Sequence, residues 1–201
     1  MQKNHLRDYV KNLLRKVDKT NKYHPVVIDH AIEKAINGLF AEIALKRPHE
    51  LDHYATEIDL ALLQDKGTSN YSAALSPYVP VPDKRGGVRH VEATGDYAEL
   101  TFIPLTMKEY FMYPNTYNSS LSDRIAYYTT KDKIYIYEPT AAIIASGITV
   151  HQIVPFTAYE DTETVNIPDG QDDFVVRKAV ELLSNIPPVD LANDNNDTEE
   201  R

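Results

Sequence analysis

Cysteine is missing from all 201 residues, and so is tryptophan. Without a thiol the chain can form no disulfide, offer no thiolate nucleophile and hold no metal through cysteine. A cysteine-free chain suits folding in a reducing cytoplasm. No apolar run approaches the length that crosses a bilayer, so no membrane partner is expected. Met1-Gln2-Lys3-Asn4-His5 leads straight into a polar helical pattern without the apolar core of a signal peptide. Asn118-Ser119-Ser120 and Asn196-Asp197-Thr198 fit the glycosylation pattern, but export is not expected and they read as chance matches. Also missing are the G-x-S-x-G elbow, the G-x-x-x-x-G-K-S/T phosphate loop and the G-x-G-x-x-G turn. Lys84-Arg85-Gly86-Gly87 reads as a two-glycine loop rather than a phosphate cradle.

What is present is ordinary globular material, 42% hydrophobic and 25% charged, with a net charge of −9 that is unevenly spread. Residues 1–22 hold seven Lys and Arg against two Asp, whereas residues 157–201 hold twelve Asp and Glu against three Lys and Arg. A net acidic chain is a poor ligand for nucleic acid, because duplex affinity needs several cations on one face. A basic head and an acidic tail can nevertheless meet on neighbouring copies.

Hydrophobic spacing predicts three helices. Leu6, Val10, Leu13, Leu14 and Val17 share one face of the first, with Arg7, Lys11, Arg15 and Lys16 largely off it. After a polar break at 18–22, His24-Pro25 opens the second, with the stripe Ile28, Ile32, Ala35, Ile36, Leu39, Phe40 and Ile43. Lys46-Arg47-Pro48 ends it. Pro168-Asp169-Gly170 introduces the last, roughly 171–185. Asp172 and Asp173 lie in its first turn, and Phe174, Val175, Ala179, Leu182 and Leu183 are its expected buried face.

Between them the period changes to two. Tyr54, Thr56, Ile58, Leu60 and Leu62 alternate with Ala55, Glu57, Asp59 and Ala61, the pattern of a half-buried strand. Ser76-Pro77, Val79-Pro80 and Val81-Pro82 form an extended stretch barred from mid-sheet positions. Short strands are expected near 88–93 and 97–103, separated by Thr94-Gly95-Asp96. A short helix is expected over 105–111, a hairpin from 125–130 and 134–138 around Lys131-Asp132-Lys133, and a strand over 148–156. The expected class is α+β, with the N-terminal helices and the C-terminal helix packed beside a mainly antiparallel β domain. The expected divisions are a helical segment 1–48, a β-rich domain 49–157, a linker and C-terminal helix 158–187, and an extended acidic tail 188–201.

One stretch invites a catalytic reading. His49-Glu50-Leu51-Asp52-His53 fits H-E-x-x-H, in which two imidazoles one helical turn apart bind zinc and the glutamate activates water. Pro48 would start a helix instead of leaving the pair inside one, a strand follows from Tyr54, and Asp52 brings an extra charge. A polar connector is the expected reading. His5, His24, His30, His90 and His151 show no ligand spacing, and Asp190, Asp194 and Asp197 lack the spacing and glycine of a calcium loop. No enzyme, no cofactor and no catalytic, cofactor-binding or metal residue is therefore expected. Fourteen tyrosines remain. Tyr110, Tyr113, Tyr117, Tyr127, Tyr128, Tyr135 and Tyr137 crowd into the β region, either filling strand faces or forming an interface.

Several stretches together carry a family resemblance. They are Ala74-Leu75-Ser76-Pro77, Pro80-Val81-Pro82, Gly87-Val88-Arg89-His90-Val91, the hairpin Ala126-Tyr127-Tyr128-Thr129-Thr130 to Ile134-Tyr135-Ile136-Tyr137, and the close Ile186-Pro187-Pro188-Val189-Asp190-Leu191-Ala192-Asn193-Asp194. In this order, after an amphipathic helical start, the chain resembles the neck or ring proteins of tailed bacteriophages, especially head-to-tail connector components of crAss-like phages, over residues 5 to 197. The resemblance implies a virion structural protein made in the host cytoplasm and assembled with itself as a dodecameric ring in the head-to-tail connector. Its implied partners are the portal protein and adjacent neck or tail rings, with genomic DNA passing through without sequence-specific binding. Other readings are a tail-tube or baseplate protein, a zinc-dependent hydrolase using His49, Glu50 and His53, and a host cytoplasmic adaptor. Two expectations follow. Residues 189–201 should order only in the assembly, and Arg7, Lys11, Arg15 and Lys16 should meet Asp190, Asp194, Asp197, Glu199 and Glu200 of a neighbour.

Overall fold

The computed structural model describes residues 1–17, 23–64, 70–82, 86–95, 100–116 and 124–185. The expected break at 18–22, Lys84 and Arg85, the start of the strand near 97, Tyr117 and the acidic tail 188–201 lie outside them. Helix α1 spans Lys3–Val17 and α2 spans Pro25–Lys46. Strands follow at β1 (Thr56–Leu60), β2 (Leu63–Gln64), β3 (Tyr71–Ala74), β4 (Val88–Ala93) and β5 (Thr101–Pro104), then α3 (Met107–Thr116). Next come β6 (Arg124–Thr129), β7 (Lys133–Ile136), α4 (Ala141–Ser146), β8 (Ile148–Gln152) and α5 (Asp172–Ser184). Helices with mainly antiparallel sheets make the class α+β. None of these helices is long and apolar enough to cross a membrane.

The chain divides into two compact units, 1–36 with 159–201, and 37–158. The division therefore falls inside α2 instead of at residue 48. In the helical unit, α1 buries Leu6, Val10 and Leu14 and packs on α5, which buries Val175, Val176, Ala179 and Leu183. Phe174, expected in that buried face, is 43% exposed, and Val176 is buried instead. The four buried positions of α5 follow i, i+1, i+4 and i+8 spacing, which leaves residue 174 about 100° off the stripe. The amino end is stitched to the segment before α5: Lys3 N donates to Glu163 O and Val165 N to Met1 O, both at 3.0 Å.

The other unit is built on two sheets, β1-β8-β4 and β2-β3-β7-β6-β5. Among the described residues, the strands pair antiparallel except β5 with β6, which pair in parallel with α3 lying between them in the chain. The two sheets share one apolar cluster, with Val91, Ile148 and Val150 from the first and Phe102, Tyr127, Ile134 and Ile136 from the second. The β6–β7 hairpin forms as expected, pairing Tyr127 with Ile136 and Thr129 with Ile134. The proline-bearing stretch 76–82 joins no strand, yet it buries Val79 and Val81.

Candidate functional site

Pro48–Tyr54 forms a 3-10 helix. At three residues per turn, positions four apart are separated by about a third of a turn. His49 and His53 therefore do not face one another, and both are exposed while Leu51 is buried between them. Asp52 accepts from Arg89 Nε at 2.9 Å. Among the described residues, no group of three or more His, Asp or Glu side chains is placed to hold a metal ion. Arg89 itself is buried, donating through Nη2 to Pro48 O at 2.8 Å and through Nη1 to Gly86 O at 3.2 Å. The stretch that looks catalytic in sequence is thus bolted by its aspartate and a carbonyl to the side of β4.

Two histidines that looked scattered are brought together instead. His90 of β4 lies opposite His151 of β8, and their rings are 5.3 Å apart. Glu92 sits between them, with Oε1 3.1 Å from His151 Nε2 and Oε2 3.7 Å from His90 Nε2. Glu57 on β1 is paired with His151 from the other side. The alternation over 88–93 already placed His90 and Glu92 on one face. Nothing in the sequence named β8 as their neighbour.

Among the described residues, three of the seven crowded tyrosines are internal and Tyr135 and Tyr137 are half-buried. Tyr110 of α3 lies 4.5 Å from Tyr128 and 5.9 Å from Tyr137, centre to centre, and Tyr128 stacks on Tyr135 at 4.6 Å. Tyr110, Tyr127 and Tyr128 are buried within their own unit, so these three pack α3 and the core against β6. The Tyr113 side chain and Tyr117 lie outside the described residues.

A cavity of about 510 Å³ opens in the β-rich unit. Leu75, Pro77, Tyr78 and Pro80 form one wall, and the hairpin turn from Thr129 to Asp132 forms the other. The wall is held at several points. Leu75 N donates to Asp132 O at 2.9 Å, Tyr78 Oη to Thr130 O at 3.0 Å, and Val79 N to Ile153 O at 2.8 Å. Gly87 backs it so closely that an added Cβ would collide with Val79 O and the Tyr78 ring. Burial pushes the Tyr78 phenol above its usual value, and the Asp132 charge adds to the shift.

On the helical unit, the expected row of four cations is reduced. Arg7 forms a bidentate pair with Asp29, 2.7 Å at each contact, and reaches Asp161 at 3.2 Å. These hydrogen bonds, Asp29 foremost, raise its guanidinium further above its ordinary value against the opposing effect of burial. Arg7 is therefore a clamp within the unit and is not offered to a neighbour. Lys11 lies 3.6 Å from Asp8. Arg15 and Lys16 are exposed, as are the apolar side chains of Val26 (66%), Val27 and Phe174.

No family model matches the chain, and no curated protein matches it.

Proposed function

We propose that this chain is a virion structural protein that assembles with itself as a ring in the head-to-tail connector of a tailed phage. The observation that carries the reading is the surface of the helical unit. There exposed Val26, Val27 and Phe174 accompany the cations Arg15 and Lys16 in a chain whose other end is strongly acidic. Exposed apolar side chains with unlike charges at opposite ends of the sequence suit a heterologous contact, which closes into a ring when its rotation allows. A net charge of −9 suits a bore through which DNA slides, because it does not grip phosphates. The sequence resemblance adds the kind of assembly, with portal protein and adjacent rings as partners. Native mass spectrometry and negative-stain microscopy of the purified protein, alone and with portal protein, test the reading. A closed ring of one copy number, binding the portal, is expected. A protein that stays monomeric at every concentration and ignores the portal overturns it.

A further inference from the structure

We propose that the cavity beside the β6–β7 hairpin is the receptor for the segment Ile186-Pro187-Pro188-Val189 of a second copy. Successive copies are then joined by a C-terminal segment handed from one to the next. The inference rests on the self-assembly reading and adds the contact that does the joining.

The donor is specified by its sequence. Helix α5 ends at Ser184, and residues 186–201 follow it. Two consecutive prolines fix φ near −65°, remove two amide donors and bias the preceding residue toward extended backbone. Such a sequence neither continues a helix nor enters a central strand, and its four apolar residues suit an apolar groove. Polyproline-type segments dock in grooves lined by aromatic and apolar side chains, at low ordering cost because the backbone is already restricted.

The receptor has that chemistry. Its volume of about 510 Å³ falls within the range that holds small ligands. Leu75, Pro77, Tyr78 and Pro80 supply the apolar wall, and the Tyr78 ring is tethered through its hydroxyl to Thr130 O. Charge fits as well. The segment continues past Val189 with five acidic residues against one Arg, and the hairpin turn beside the cavity exposes Lys131 and Lys133 against Asp132. A proline-rich donor and a concave receptor are unlike surfaces, so passing one to the other repeats around a closed ring.

A complementation experiment on full-length protein tests this. One variant, Pro80→Glu, spoils the exposed rim of the cavity but keeps the donor. The other, Ile186→Asp with Val189→Asp, spoils the donor but keeps the cavity. Circular dichroism establishes that both are folded. Native mass spectrometry is expected to show each variant alone as monomer where the parent assembles, and their mixture as one-to-one complexes. Either variant assembling like the parent overturns the proposal. So do two monomeric variants that form no complex on mixing, since the segment would then serve its own chain or nothing. If the parent itself is monomeric, the ring reading fails. The receptor is then tested by fluorescence anisotropy, titrating a labelled peptide of residues 185–201 into the donor-spoiled variant. At least a tenfold loss of affinity on adding Pro80→Glu supports the receptor, and absence of binding overturns it.

Discussion

Arg89 is the largest of the fully buried side chains among the described residues, and its position follows from an irregularity of the strand. The β4–β8 register shifts between Val88 and His90, so Val88 and Arg89 are both buried where strict alternation would expose one of them. The guanidinium reaches Asp52, Pro48 O and Gly86 O. Arg89→Ala should cost about 3–5 kcal/mol in denaturant unfolding, because it leaves acceptors without a donor and opens a cavity. Asp52 is 41% exposed, so water can replace it, and Asp52→Asn should cost only about 1 kcal/mol. Equal losses for the two would show that the ion pair, and not the carbonyl contacts, holds Arg89. Tyr78 gives a pH signature. Its raised phenol means that the folded state keeps its proton after the unfolded chain has lost it. That contribution is fully present below pH 10 and is lost as pH rises beyond. The alkaline fall in stability should be shallower in Asp132→Asn, as unfolding midpoints between pH 9 and 11 would record. Neither residue could be found from sequence, because a bulge and a cross-loop contact leave no periodic trace.

At the scale of elements, legibility followed length and period. Helix α2 was readable end to end because Pro25 starts it, Lys46-Arg47-Pro48 stops it and seven apolar positions mark its stripe. The β6–β7 hairpin announced itself through alternation around a polar turn. Helix α4 was missed. Six residues are too few to show a period, although Thr140 caps it by accepting from Ile143 N and Gly147 closes it. Strand β3, Tyr71–Ala74, was missed because Ser72-Ala73-Ala74 carries no alternation. The β5–β6 pairing is parallel, which no local pattern announces. The zinc-like stretch was placed correctly between helix and strand, whereas the His90–Glu92–His151 cluster depended on strand order and stayed hidden. Gly147 shows how much one short connection bears. Its φ is +84°, and a Cβ there would stand 2.6 Å from Leu60 O, between α4 and the strand that pairs with β8. Gly147→Ala should therefore lower stability by about 2 kcal/mol or more, read as a drop in urea midpoint with unchanged slope.

For the molecule as a whole, the helical unit keeps two exposed cations at the end of α1 once Arg7 is tied to Asp29 and Asp161. If Arg15 and Lys16 guide neighbours together, each exposed pair contributes at most about 1 kcal/mol and is screened by salt. Light scattering should show assembly slowing as ionic strength rises. Arg15→Glu with Lys16→Glu should slow it severalfold at low salt while the circular dichroism stays unchanged. A double variant that assembles at the parental rate would leave the apolar contacts as the sole basis of closure. The chain path has a consequence of another kind. Strand β1 pairs with β8, β4 pairs with the same strand, and α1 packs on α5 near the other end of the chain. During synthesis, neither the three-stranded sheet nor the helical unit can close until residues past 148 have left the ribosome. Closure of that sheet and of the helical unit is therefore a late event dominated by distant pairings.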